Sequence, residues 1–349
     1  MSNNLGALGE RLSARMERVE SMLQDEVRMD DLQIDPATSH LAKAGGKRLR
    51  PILVFVTSEL GPNPQAQAVY DSAVAVELTH LASLYHDDVM DEAPMRRGVE
   101  SAQLAFGNTV AILAGDILFS RASTIVAGLG PRSVELHATM FERLCTGQLH
   151  ETMGLAPGDN PKDHYLSVLA DKTGSLIAAA ARYGVLSSGG SEELAETVAQ
   201  YGEKVGVAFQ LADDVIDIMS SGDATGKTPG TDLREGVDTM PVLLLRVAAE
   251  AGTLDEAGRE ILARLDAPVQ GGADPKMRMG AAVRRDALQR DDALAAVVGA
   301  LRVHTVLEQA RAMARAWAAD AVAELRALPE GEVRTALHDF ADALVDRLA

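Results

Sequence analysis

The chain has 349 residues, enough for one large domain or two ordinary ones. With 47% hydrophobic and 24% charged residues it can bury a sizeable core, which excludes a disordered polymer. Its 33 Lys and Arg against 51 Asp and Glu leave a formal charge of −18, which excludes attachment to nucleic acid or anionic membrane by diffuse basic charge, though not a local phosphate site built from a few cations.

The N-terminal segment carries Asn3, Asn4, Glu10 and Arg11 and no apolar stretch behind a basic start, so no secretory signal is expected. Leu5, Leu8, Leu12, Met16, Val19 and Leu23 recur every three or four residues and predict a long amphipathic helix. The same period predicts helices over 69–90, 110–126, 134–153, 194–219 and 297–325. The most apolar stretches, 110–119 and 241–249, are broken by Asp116 and Arg246, so no membrane span is expected. Cys145 has no partner in the chain, which excludes an intrachain disulfide, suits a reducing cytoplasm and reads as a small buried apolar residue. Breaks rich in Gly, Pro and Ser fall at 61–64, 157–161, 187–190, 220–230, 267–275 and 329–331, spaced as connections between helices. Aromatics are only 3%, Ala is abundant, and no fixed repeat occurs. The expectation is one all-α domain over 1–349.

Two acidic patterns match. Asp87-Asp88-Val89-Met90-Asp91 ends one apolar helix and Asp213-Asp214-Val215-Ile216-Asp217 lies in another. At i and i+4, Asp87 and Asp91 share a helix face, as do Asp213 and Asp217. Like charges at that spacing cost a helix a few tenths of a kcal/mol per pair unless a cation offsets them. Carboxylate oxygens completed by water and substrate phosphate are what Mg²⁺ prefers. A solvated acidic patch explains one such cluster as well, but two identical clusters in apolar helices poorly.

Gly45-Gly46-Lys47-Arg48-Leu49-Arg50 gathers three cations behind two glycines, a combination suited to an anion. Arg96-Arg97-Gly98 follows the first acidic cluster, and Lys172-Thr173-Gly174 and Thr225-Gly226-Lys227 add cations at element boundaries. GxxxxGK[ST] is absent, so no P-loop nucleotide site is expected. His80 lies seven residues before Asp87, two turns away on about the same face. Singly, each of these reads as surface decoration or a satisfied helix histidine.

Together they resemble the trans-isoprenyl diphosphate synthases, the polyprenyl synthetase family. The likeness is carried by GGKRLRP at 45–51, HDDVMDEAPMRRG at 86–98, DKTG at 171–174, FQLADDVIDI at 209–218 and TGKTPGTDLREG at 225–236, in the family's order. It implies a single bundle of antiparallel helices around a deep central cavity, the isoprenoid synthase fold, in a homodimer, with the two clusters facing each other at the mouth. It implies Asp87, Asp91 and Asp213 as direct Mg²⁺ ligands, with Asp88, Asp214 and Asp217 ligating or orienting through water. By the same resemblance Arg96, Lys172, Thr173, Gln210 and Lys227 hold an allylic diphosphate, and Lys47, Arg50, His80 and Arg97 hold isopentenyl diphosphate. Lys172 and Lys227 join Asp87, Asp91 and Asp213 as catalytic. The chain departs from the pattern at Val237-Asp238, where Lys is frequent, and at Leu348-Ala349, which lacks a basic tail.

The implied activity is head-to-tail condensation to an all-trans polyprenyl diphosphate. Competing readings are a class I terpene cyclase and a catalytically silent subunit of a heteromeric synthase. The second cluster's Asp pattern and the Gly-Gly-Lys-Arg segment speak against the cyclase, and retention of both clusters against the silent subunit. Ala82 and Ser83, five and four residues before Asp87, lie about one turn deeper on its helix. In the resembling family bulky aromatics there stop the product short, so two small residues predict twenty or more carbons. Tyr85 falls some 200° round the helix from Asp87, away from that path. Ile112 and Phe119 are alternative blockers from another helix.

Overall fold

The computed structural model describes residues 6–220, 229–234, 236–267 and 291–345. The expectations for Lys227 with its Thr225-Gly226 neighbours, for 268–275 and for Leu348-Ala349 lie outside these residues. In chain order the elements are α1 (Gly6–Val27), α2 (Asp35–Lys43), α3 (Leu49–Ser58), α4 (Gln67–Met90), β1 (Met95–Arg96), β2 (Val99–Glu100), α5 (Ala102–Phe106), α6 (Asn108–Gly128), α7 (Pro131–Met153), α8 (Pro161–Leu169) and α9 (Ser175–Ser187). They continue with α10 (Glu192–Met219), α11 (Thr231–Arg234), α12 (Met240–Glu250), α13 (Glu256–Leu265), α14 (Asp291–Val303), α15 (Thr305–Glu324) and α16 (Glu332–Val345). The class is all-α, as expected; the only described strands form one two-stranded antiparallel ribbon.

The chain divides into two compact units. The first comprises Met1–Leu144, Gly174–Glu203 and Ala321–Ala341. Its centre is α4, where every residue from Ser72 to Thr79 is buried, as befits a helix apolar on all sides. α3, α6 and α9 pack around it. α6 offers the small stripe Ala111, Ala114, Gly115, Leu118, Ala122 and Val126. Gly115 lets the His86 ring lie against α6, since a Cβ would meet that ring at 2.5 Å and the Ala82 carbonyl at 3.2 Å. Tyr85 is fully buried and donates its hydroxyl to the carbonyls of Ala37 (2.5 Å) and Thr38 (3.3 Å), tying α4 to α2 as its phase predicts. Arg15 anchors α1 by lying 3.9 Å over the Phe55 ring and bonding Ser58 and Glu59 at 3.1 Å.

The second unit comprises Cys145–Thr173, Lys204–Asp320 and Asp342–Ala349. Leu169 of α8, Leu211, Val215 and Ile218 of α10, Met240 and Leu245 of α12, and Leu301 and Leu307 of α14 and α15 form its core.

Two sequence expectations are corrected. The helix read over 297–325 is interrupted at His304, whose Nδ1 accepts the Val306 N–H at 3.1 Å and starts α15 afresh. Cys145 is exposed: α7 buries Leu136, Met140 and Leu144 along one stripe, and one residue further turns about 100° away from it. By length and composition alone α6, with Asp116 in it, is apolar enough to cross a bilayer, at mean hydropathy 1.6 over 18 residues. Its small-residue stripe is nevertheless spent on α4, which makes it a packing helix with a second, exposed apolar face. The turn after the first aspartate cluster is a β-ribbon, with Arg97 at φ 53° and Gly98 at φ 81°, both positive as a two-residue hairpin of primed type requires.

Candidate active site

In the first unit the aspartate cluster closes α4. Asp87 and Asp91 share a half-buried face, and Asp91 N–H donates to the Asp87 carbonyl at 2.8 Å to end the helix. One residue on from Asp87 is another face, so Asp88 is fully buried. The ribbon turns back and brings Arg96 Nε to 2.6 Å from Asp88 Oδ1. Asp88 Oδ2 is also buried but accepts no hydrogen bond. Burial raises the Asp88 pKa, against the pull of the Arg96 charge, and Asp91 raises it further.

The basic residues expected to hold phosphate divide by role. Arg48, in the left-handed region at φ 48°, is buried and committed to structure. It bonds Glu20 at 2.9 and 3.1 Å, Glu77 at 2.9 Å and the Ala42 carbonyl at 3.1 Å. Arg97 donates to the carbonyls of Leu41 and Gly45 and lies 3.7 Å from Glu77. Lys47 is exposed on the loop between α2 and α3. Arg50 and His80 keep some surface open to solvent, yet enough protein surrounds them that burial dominates their ionisation. Burial lowers Arg50 to about 10 although Glu77 opposes the change, and Arg50 Nε has no hydrogen-bond partner. Burial drives His80 well below its usual range, and the charges of Arg50, Arg97, Arg96 and Arg48 push it further down. Glu77, 1% exposed on α4, bears as a counter-charge on Arg50, Arg48 and Arg97 alike, and Glu20 bears on Arg48 and Arg97 as well. The region is therefore a desolvated cluster of arginines around a neutral imidazole, with Arg50 Nε unbonded, which suits an incoming polyanion.

In the second unit α10 presents Gln210, Asp213, Asp214 and Asp217, all but Asp214 half-buried. Asp214 is 4% exposed; the Tyr165 hydroxyl of α8 donates to its two oxygens at 3.0 and 2.9 Å, and Met240 N–H reaches Oδ2 at 3.2 Å. Burial lifts its pKa to about 7 over the opposing effect of those two donors, with Asp213 and Asp217 adding to the rise. Asp217 accepts from Thr231 N–H at 3.1 Å and Asp232 N–H at 3.3 Å, holding the turn that begins α11. Residues Ala170–Gly174 form a π-helical turn, a local unwinding frequent at functional sites. From it Lys172 Nζ meets Glu151 Oε2 at 2.5 Å, while Thr173 is buried. The Asp238 departure from the family pattern is occupied by a 2.6 Å bond from Arg246.

Thus Asp87, Asp88, Asp91, Lys47, Arg50, His80, Arg96 and Arg97 fall in the first unit, and Lys172, Thr173, Gln210, Asp213, Asp214 and Asp217 in the second. Among the described residues, no three His, Cys, Asp or Glu side chains converge into a group able to hold a metal alone. That fits Mg²⁺, which takes one or two carboxylates and leaves its other positions to water and substrate phosphate. The all-oxygen donors and the unsatisfied Asp88 oxygen agree with a hard cation. Sequence reading missed Glu77, Glu151, Arg48 as a strut, and Tyr165. Glu77 had a signal, an acid three residues before His80 in an apolar run; Tyr165 had none.

Of the residues assigned to product length, Ala82 is fully buried beneath α6, and half-buried Ser83 donates to the His80 carbonyl at 2.9 Å. Ile112 of α6 is 41% exposed, and its carbonyl faces His86 Nε2 at 3.0 Å. Phe119 instead joins an aromatic row, 5.5 Å from His86 and 4.6 Å from Phe141.

The Polyprenyl synthetase family model matches residues 32–262, which include both aspartate clusters and the basic segments named above. The chain belongs to that family. Among curated polyprenyl synthetases it is 43% identical to the nonaprenyl diphosphate synthase of Mycobacterium tuberculosis, over 96% of this chain and 92% of that protein. It is similar to a geranylgeranyl pyrophosphate synthase from Corynebacterium glutamicum complexed with calcium and isoprenyl diphosphate, at TM-score 0.81 and 37% identity, covering 99% and 98% of the two chains. A polyprenyl synthase from Caulobacter crescentus, also with calcium and isoprenyl diphosphate, matches at TM-score 0.83 and 29% identity over 100% and 99%. This polyprenyl synthetase therefore has the isoprenoid synthase fold and is a prenyltransferase making all-trans polyprenyl diphosphates by head-to-tail condensation.

Proposed function

We propose that this synthase joins isopentenyl diphosphate to an allylic diphosphate in a Mg²⁺-dependent reaction and extends the product to twenty carbons or more, within a single isoprenoid synthase domain. The observation that carries the reading is the desolvated set of Arg50, His80 and Arg97, in the same unit as Asp87 and Asp91, with Glu77 as counter-charge to the two arginines. Lys47, Arg50 and Arg97 bind the isopentenyl diphosphate, and neutral His80 offers it a hydrogen bond. Arg96, Lys172, Thr173, Gln210 and Lys227 hold the allylic diphosphate. Asp87, Asp91 and Asp213 ligate Mg²⁺, which supplies charge neutralisation of the leaving group.

The allylic C–O bond breaks with its electron pair leaving on the diphosphate. The isopentenyl double bond attacks the resulting allylic cation, and a proton is lost from the neighbouring carbon to the departed diphosphate. No side chain is needed as base. Lys172 and Arg96 leave Glu151 and Asp88 for the substrate, so each carboxylate keeps its cation aimed until substrate arrives. Ala82 and Ser83 put no bulky side chain beneath the first cluster, which supports a product of at least twenty carbons.

The same reading includes a cytoplasmic homodimer. Leu104 of α5 and Val110, Ile112 and Leu113 of α6 are exposed together, an apolar surface suited to a second copy. The test is incubation of purified protein with radiolabelled isopentenyl diphosphate and ten-, fifteen- and twenty-carbon primers, with Mg²⁺ and with EDTA, followed by sizing of products and light scattering of the enzyme. Consumption of isopentenyl diphosphate only with Mg²⁺, products of twenty carbons or more and a dimer mass are expected. Primer cyclisation without isopentenyl incorporation overturns the reading.

A further inference from the structure

All four carboxylate oxygens of Asp214 and Asp217 accept hydrogen bonds from the chain itself. The Tyr165 hydroxyl lies 3.0 Å from Asp214 Oδ1 and 2.9 Å from Oδ2, a nearly symmetric seat across both oxygens. Met240 N–H adds a third contact at 3.2 Å. That N–H belongs to the first turn of α12, whose N-cap Thr239 contributes no side-chain bond, so Asp214 satisfies a donor the helix leaves open and places a carboxylate at its positive end. Asp217 takes the N–H groups of Thr231 and Asp232 at 3.1 and 3.3 Å, and its own carbonyl takes Gly230 N–H at 3.0 Å.

These contacts fasten α8, α12 and the 230–232 turn to one stretch of α10. A metal ligated by Asp214 would have to displace the Tyr165 hydroxyl and a backbone N–H, from a carboxylate that is only 4% exposed. We infer that Tyr165 is a positioning residue of the second aspartate cluster, that Asp214 is its anchor and no metal ligand, and that the anchored helix is what keeps Asp213 aimed at Mg²⁺. The inference rests on the prenyl-transfer reading above. It also replaces the sequence expectation that Asp214 belongs to the ligand set.

The experiment compares wild type, Tyr165→Phe, Asp214→Asn, their double variant and Asp213→Asn. Mg²⁺ is titrated calorimetrically into each protein with an allylic thiolodiphosphate, an analogue that ionises too slowly to react, and steady-state turnover and metal-free melting are measured alongside. Tyr165→Phe should raise the Mg²⁺ needed for half-saturation about tenfold, with turnover largely recovered at saturating Mg²⁺. Asp214→Asn should shift it in the same direction, and the double variant should add little, since both act through one contact. Asp213→Asn should bind the metal poorly at any concentration and recover no turnover. A folded Tyr165→Phe with wild-type Mg²⁺ half-saturation overturns the inference. So does an Asp214→Asn that behaves like Asp213→Asn, a comparison that holds even if Tyr165→Phe does not fold. Wild type that binds the analogue without any dependence on Mg²⁺ overturns the prenyl-transfer reading itself, and the inference with it.

Discussion

The Arg97 guanidinium lies against Gly46, so close that a Cβ at position 46 would sit 2.9 Å from Arg97 Cζ. The glycine, at φ 151°, thereby lets an arginine from the ribbon reach the carbonyls of Leu41 and Gly45 and stand beside Glu77. Gly46→Ala should push this guanidinium aside. Loss of its charge-assisted bonds, each worth roughly 1.5–3 kcal/mol, should raise KM for isopentenyl diphosphate about tenfold or more and leave KM for the allylic primer near wild type. Steady-state kinetics with each substrate varied in turn provides the check, and equal effects on both would count against Arg97 as an isopentenyl-site residue.

Asp87→Ala should reduce turnover by several orders of magnitude, because charge on the leaving diphosphate must be neutralised in the transition state. The fold should survive. Asp87 and Asp91 repel each other across one turn, so metal-free melting should stay level or rise slightly. Circular dichroism melts alongside single-turnover assays test this, and near-normal turnover would remove the first cluster from the mechanism.

The two diphosphate sites should separate in kinetics. Arg50→Ala should chiefly weaken isopentenyl diphosphate, by about tenfold to a hundredfold for one charge-assisted contact. Lys172→Ala should chiefly affect the allylic diphosphate or its ionisation, and it also strands Glu151. Variants that alter both substrates equally would reject the partition.

Product length should respond to Ser83 and Ala82. Ser83→Phe places an aromatic where a half-buried hydroxyl now bonds the His80 carbonyl, and should shift products toward shorter chains with condensation intact. Ala82→Phe should act in the same direction, but Ala82 is fully buried, and overpacking there costs typically 1–3 kcal/mol, so its melting point should also fall. An unchanged product distribution in both would place the growing chain elsewhere.

Stability against pH follows from His80. Its folded pKa lies well below that of the unfolded chain, near 6.5, so below about pH 6.5 the unfolded state binds the extra proton and stability falls as pH drops. The slope reaches about 1.4 kcal/mol per pH unit until the folded pKa is met. Asp214 and Asp88 act with the opposite sign: their folded pKa values are raised, so the folded state binds more protons as pH falls, from about pH 7 downward for Asp214. The difference between wild type and His80→Gln isolates the histidine. Its melting-temperature advantage over wild type should grow as pH falls from 7 to 5.5, and a constant difference would mean that His80 is not held neutral.

The helical class, the order of the motifs and both aspartate pairs were legible in the sequence because they depend on local spacing. Residues four apart share a helix face whatever surrounds them, so Asp87 with Asp91 and Asp213 with Asp217 follow from counting. The opposite fates of neighbouring residues were decided by tertiary structure. Helical phase turns Asp88 inward, but it meets Arg96 because Arg97 and Gly98 fold the chain back as a hairpin. Arg48 and Arg50 lie two residues apart in one cationic motif, yet Arg48 is consumed by Glu20 and Glu77, whereas Arg50 keeps an unbonded, desolvated nitrogen. Glu77 and Tyr165 acquire their roles from partners that lie 29 and 49 positions away in the chain, Arg48 and Asp214. Periodicity reports which face a side chain occupies; burial and long-range hydrogen bonds, which set its charge and its partner, exist only once distant segments have packed.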